Sequence, residues 1–107
     1  MRFRRELLKG CLTTLILNAL SGRPQYANEL RKTLEESSAG AFSIPEGSIY
    51  PILHRLEDKG WITSELNENG TRVYRVSPLG KKELEYGLRE WRLFSRAMDI
   101  TLGNKEG

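Results

Sequence analysis

The side chains best equipped for chemistry fall in one run, from Ser43-Ile44-Pro45-Glu46-Gly47-Ser48 through Tyr50, His54 and Arg55 to Gly60-Trp61-Ile62. Ile49, Ile52, Leu53 and Leu56 recur at i, i+3, i+4 and i+7, the spacing of one buried helix face. At about 100° per residue, Gly47, Pro51, His54 and Asp58 lie opposite that face, and Ser48, Tyr50 and Arg55 flank it. The outer side therefore presents a hydroxyl, a phenol, an imidazole and a guanidinium. These groups donate hydrogen bonds to phosphate oxygens and to base edges. Arg55 is the base-reading candidate, because its planar fork matches guanine in two places. Ser48 and Tyr50 fit phosphates, and His54 is placed to touch nucleic acid.

Each of these residues also has a plainer reading. Arg55 can pair with Glu35, Glu36 or Asp58, Tyr50 can pack on the preceding helix, and His54 can simply be solvated. The same residues do not make an enzyme. Ser48 and His54, six apart, point about 120° away from each other, and no acid completes a set. One histidine and one cysteine are too few for a metal site. No glycine-rich phosphate loop exists, so no cofactor is expected.

The elements that must hold this helix can be read from breakers and caps. Ser43 and Glu46 make a capping-box start with Pro45 in the first turn, and Gly60 closes the helix. Trp61–Leu66 and Thr71–Val76 are β-prone, joined by the turn Asn67-Glu68-Asn69-Gly70. Arg72 and Arg75 are assigned to one face of the second strand, for wing–phosphate contact or for solubility alone. Upstream, a helix over Arg5–Leu20 is apolar over most of its circumference, which calls for cover on two sides. A second helix, Gln25–Ser37, carries Tyr26, Leu30 and Leu34. Arg2, Arg4, Arg5 and Lys9 form either a basic arm toward phosphates or a solvated terminus.

Ser77-Pro78 opens a last helix running to Leu102. Its stripe of Leu84, Leu88, Trp91, Met98 and Leu102, with Phe94 beside it, is too long for the small body to cover. That argues for pairing with a second chain. Trp91, with Leu88, Phe94, Met98, Leu12 and Leu15, packs a dimer core or lines a slot for a small planar aromatic effector. The fold class expected is mainly α with a small β-hairpin: a winged helix-turn-helix over residues 1–77, then a long dimerisation helix and tail over 78–107.

Composition agrees with one soluble domain. The chain has 107 residues, 29% charged and 38% hydrophobic, with a net charge of +3. A mildly basic balance permits a nucleic-acid partner without requiring one. The single Cys11 excludes an internal disulfide and reads as a small buried hydrophobe. Lys9, Thr13, Thr14 and Asn18 interrupt the first apolar run, so neither a signal peptide nor a membrane span fits. A cytoplasmic protein with no membrane partner is expected.

Leu7-Leu8-Lys9-Gly10, Tyr26, the run Glu46-Gly47-Ser48-Ile49-Tyr50-Pro51-Ile52-Leu53-His54-Arg55-Leu56-Glu57, Gly60-Trp61-Ile62, Arg72-Val73-Tyr74-Arg75-Val76-Ser77 and Gly80 together resemble the PadR family of bacterial transcriptional regulators. The likeness spans roughly residues 5 to 102. Proline inside such a helix is unusual, because its ring crowds the carbonyl four residues back; here that residue is Gly47, which is expected to ease the strain.

The resemblance implies a repressor that binds a pseudo-palindromic operator in double-stranded DNA as a homodimer. Its third helix would enter the major groove, its wing would lie beside the minor groove, and its C-terminal helix would pair the chains. It also implies an aromatic effector between subunits in the smaller branch of the family, where Trp91 falls at the lining position. Ala27 replaces the glycine that commonly follows the tyrosine. The wing offers only Thr71-Arg72-Val73 where the family has a longer basic run, so a smaller electrostatic contribution is expected. The rival reading is a winged helix that docks a protein and reads no DNA sequence.

Overall fold

The computed structural model describes residues 5–103. In chain order they form α1 (Arg5–Gly22), β1 (Gln25–Tyr26), α2 (Ala27–Ser37), α3 (Glu46–Asp58), β2 (Ile62–Leu66), β3 (Arg72–Val76) and α4 (Pro78–Leu102). The chain is mainly helical with one small antiparallel sheet, the arrangement of a winged helix-turn-helix followed by a long helix. The sheet has three strands where a two-stranded hairpin was expected, in the order β1-β3-β2. Gln25 pairs with Tyr74 and Tyr26 with Val73, so the first two residues assigned to the second helix are extended.

Gln25 explains that correction. It is buried, donates through Nε2 to the Ala19 carbonyl at 3.0 Å, and accepts at Oε1 from the Thr33 hydroxyl at 2.7 Å. A buried amide satisfied at both ends joins α1 to α2, and those two bonds hold the segment extended against β3. α2 then starts at Ala27, with the Glu29 carboxylate accepting the Tyr26 N–H at 2.9 Å. That backbone hydrogen bond, with lesser help from Arg23, holds Glu29 below the ordinary carboxylate range. A depressed folded pKa contributes stability above the unfolded value, and that contribution disappears as pH falls through the folded one. Urea midpoints measured between about pH 3 and pH 6 should therefore fall less steeply for Glu29→Gln than for the parent chain. Equal slopes would show that the cap carries no charge-dependent stability.

The core is built where α1, α2 and α3 meet the sheet. Ile16, Leu17, Leu30, Ile44, Ile49, Leu53 and Ile62 are fully buried. α1 has the two-sided cover its composition demanded: its core face lies under α2 and β3, and α4 packs along another side. At Gly87 the two long helices pack closely, since a Cβ there would run into the Thr14 hydroxyl.

α4 extends beyond the body it starts on. Its 25 residues span roughly 37 Å at 1.5 Å per residue. Leu84 is buried and Leu88 half-buried, but every large apolar side chain after Leu88 is exposed. Among the described residues, no helix is long and apolar enough to cross a membrane.

Candidate nucleic-acid interface and the adjoining groove

α3 begins two residues later than its sequence signals imply. Pro45 is the residue before the helix, the first helical residue is Glu46, and no side chain caps the end. Ser43 therefore lies outside the helix, and the Pro45 carbonyl takes the Ser48 N–H at 2.9 Å. The Ser43–Glu46 capping box does not form, because proline's fixed φ of −59° and extended ψ of 147° already set the entry. The preceding loop is held from α2. Arg31 Nε donates to the Ile44 carbonyl at 2.7 Å, and the Ser38 hydroxyl accepts the Phe42 N–H at 2.9 Å. With Ile44 buried, the angle between α2 and α3 is anchored at both ends of the loop.

Ile49, Leu53 and Leu56 seat α3 in the core, while Ser48, Tyr50, His54 and Arg55 are all exposed. Among the described residues, none of these four side chains has a hydrogen-bond or ion-pair partner. The pairs open to Arg55 with Glu35, Glu36 or Asp58 do not form, so its guanidinium points outward unengaged. Gly47 is not required for space, since a Cβ there would meet nothing within 4 Å.

The wing differs from expectation in which way its arginines face. Antiparallel register pairs Arg75 with Thr63 and Arg72 with Leu66. Side chains three apart on a strand point to opposite faces, so Arg72 and Arg75 do not share one. Arg72 donates to the Ser64 hydroxyl at 3.0 Å, and Ser64 donates to Glu57 of α3 at 2.7 Å. This chain ties the wing to the third helix. Burial first, then the Glu57 carboxylate, push the Tyr74 phenol beneath it above its ordinary value. Arg75 pairs with Glu65 at 3.3 Å, both largely exposed, a contact worth little and free to exchange for a phosphate. Arg4 lies outside the described residues, as does the side chain of Arg5.

Two positioning contacts escaped the sequence. Asn67 accepts at Oδ1 from the N–H groups of Asn69 and Thr71, both at 2.9 Å, and donates through Nδ2 to the Tyr26 hydroxyl at 2.9 Å. One side chain thus shapes the wing turn and ties it to the start of α2. On α2 itself, Asn28 and Lys32 are exposed beside Arg31, on the surface that leads to the start of α3. Neither carries a sequence signal beyond a polar helix face.

Between α1 and the middle of α4 lies an open apolar groove of about 670 Å³. Cys11, Thr14 and Leu15 form one wall, Gly87, Leu88, Trp91 and Phe94 the other, and Phe42 closes one side. The Trp91 and Phe94 rings stand 6.4 Å apart at 35°, each 53% exposed, with Met98 at 44%. Leu12, grouped with them from sequence, is instead buried in the chain's own core. Leu15 takes the groove position, because it shares the Cys11 face of α1 while Leu12 shares the buried face of Leu8 and Ile16. Among the described residues, no group of histidine, cysteine and carboxylate side chains is arranged to hold a metal.

Comparison with known proteins places these features. The family model "Transcriptional regulator PadR-like family" matches residues 16–86. A solved transcriptional regulator from Clostridium thermocellum superposes with a TM-score of 0.85 at 26% identity, covering 92% of this chain and 96% of that one. A PadR family transcriptional regulator from Eggerthella lenta gives a TM-score of 0.82 at 27% identity, covering 94% and 88%. Transcriptional regulator YqjI of Escherichia coli is 31% identical over 84 residues, 78% of this chain and 41% of that protein. The chain thus spans less than half the length of that relative.

Proposed function

Because this chain belongs to the PadR-like family of transcriptional regulators, we propose that it is a repressor that binds a pseudo-palindromic operator as a homodimer. Residues 1–77 form the reading unit and residues 78–107 the pairing helix and tail. The observation that carries this reading is the outer face of α3, where Ser48, Tyr50, His54 and Arg55 are exposed and unpaired on a helix seated by Ile49, Leu53 and Leu56. In the major groove Arg55 reads a base edge and the hydroxyls hold phosphates. Arg75 and Arg72 supply the wing's contact, and Arg4 and Arg5 a basic approach to the backbone. The exposed Trp91, Phe94 and Met98 support pairing through α4, which sets two half-sites about one helical turn apart.

Anisotropy of a labelled duplex from the gene's own upstream region, against a scrambled duplex, tests the reading. Roughly six to ten phosphate contacts should cost about 10³–10⁵ in affinity between 50 and 200 mM salt, with the native duplex preferred throughout. Equal, weak binding to both duplexes would refute operator recognition and favour a protein partner for α3.

The groove supports a second part of the proposal: a small planar aromatic effector stacks on Trp91 at the dimer interface and relieves repression. Its volume of about 670 Å³ falls in the range of small-molecule sites, and Trp91 and Phe94 offer ring faces. Titration with a cationic aromatic dye should quench tryptophan emission, and Trp91→Ala should abolish the saturable part. Unchanged quenching in that variant would assign the signal to Trp61 and remove the effector site.

A further inference from the structure

Two of the poorest helix formers stand one turn apart on the outer face of α3. Gly47 and Pro51 are both exposed, in line with His54 and opposite the buried Ile49 and Leu56. The helix nevertheless runs unbroken from Glu46 to Asp58 through Pro51. Nothing in the fold asks for glycine at position 47. The described glycines with positive φ are Gly40, Gly60, Gly70 and Gly103, and a Cβ on Gly47 would meet nothing within 4 Å.

The two residues act together on one atom. An α-helical carbonyl accepts the N–H of the fourth residue on. For Gly47 that residue is Pro51, which has no N–H. The Gly47 carbonyl oxygen therefore lacks the donor that an α-helix supplies. It lies on the exposed face, and its own residue has no Cβ to hold a partner away. Such an acceptor selects what it meets. A phosphate offers only acceptors and gains nothing here, whereas the major groove presents two kinds of donor, the amino groups at adenine N6 and cytosine N4. Ser48, Tyr50 and Arg55 supply donors to phosphates and to guanine, and the carbonyl supplies the complementary half of that code. We propose that the Gly47 carbonyl, bared by Pro51, accepts a hydrogen bond from the exocyclic amino group of one adenine or cytosine in each half-site. Gly47 and Pro51 are then specificity-determining residues that act through the backbone. The inference rests on the reading of α3 as a DNA-reading helix.

The test uses the full chain and duplexes from the gene's own upstream region. Each adenine is replaced in turn by purine, and each cytosine by 2-pyrimidinone, analogues that lack only the amino group. Comparing the parent with its variants on the same duplex cancels the effect of the altered base pair. One such replacement per half-site should weaken the parent about 3- to 10-fold, the net worth of one hydrogen bond, and whether it is a purine or a 2-pyrimidinone identifies the base. Pro51→Ala returns an N–H to the Gly47 carbonyl. It should bind the native duplex more weakly by about that factor, and the analogue duplex no worse than the native one, while its thermal midpoint rises. Gly47→Ala should also lose affinity for the native duplex, with an unchanged or higher midpoint. A purely structural role for either residue predicts that binding falls only when stability does. A Pro51→Ala variant that keeps the full analogue penalty would overturn the proposal, as would a parent indifferent to every analogue. Failure of operator recognition looks different: the parent then binds native and scrambled duplexes equally, which removes this proposal along with the reading beneath it.

Discussion

Gly80→Ala should lower stability by about 3 kcal/mol or more, at the upper end of what an over-packed site costs. Gly80 is the third residue of α4, and a Cβ there would collide with the carbonyl oxygen of Trp61. It would also come within 2.9 Å of the Trp61 carbonyl carbon and of Val76 Cγ2. Neither backbone can retreat cheaply. The Trp61 carbonyl accepts the Ser77 N–H at 3.0 Å. The Ser77 hydroxyl donates to the Gly60 carbonyl at 2.6 Å and accepts the Gly80 N–H at 3.0 Å. These bonds cap α4 and tie it to the turn that follows α3, so relief of the clash breaks the joint between the reading unit and the long helix. Chemical denaturation of Gly80→Ala beside Gly47→Ala checks this. A Cβ at Gly47 meets nothing within 4 Å, and alanine is the better helix former by about 0.5–1 kcal/mol, so that variant should be neutral or slightly more stable. Equal midpoints for the two variants would show that the α4 joint yields easily.

Arg55→Ala should weaken operator binding about 10- to 100-fold per half-site, the worth of one bidentate base contact. The side chain is exposed, lies in the last turn of α3 and has no partner among the described residues. Its removal therefore leaves no buried group unsatisfied and should cost the fold only a few tenths of a kcal/mol through the helix dipole. A base contact and a phosphate contact give different signatures. Loss of a base contact shrinks the preference for native over scrambled duplex and leaves the salt slope nearly unchanged. Loss of a phosphate contact weakens both duplexes alike and lowers the slope. Anisotropy titrations at three salt concentrations separate the two, and a uniform loss with a shallower slope would move Arg55 from reading to positioning.

Both predictions depend on geometry that the residues reveal to different degrees. The outward set on α3 was legible because helical periodicity alone decides which side chains oppose Ile49, Leu53 and Leu56. That Arg55 stays free was not, since Glu35, Glu36 and Asp58 were all available in sequence and only the structure shows that none of them pairs with it. Gly80 shows the same division. The Ser77-Pro78 start was readable as a cap, yet the need for glycine three residues later comes from Trp61, a neighbour in space that strand pairing brings there.

The amino-acid sequence by itself determined the elements: where helices run, where Asn67 to Gly70 turn the chain, and that α4 carries more apolar surface than the small body can cover. Those features depend on contacts within a few residues, and caps, breakers and periodicity encode them directly. Only the tertiary structure decided that Gln25 and Tyr26 form a strand, because their hydrogen bonds go to β3 and their side chains to α1, α2 and the wing turn. It also decided that Arg72 and Arg75 part to opposite faces, that Leu12 turns inward while Leu15 lines the groove, and that the large apolar side chains of α4 after Leu88 remain open. Each of those outcomes depends on which distant group arrives alongside, and distance along the chain carries no record of it.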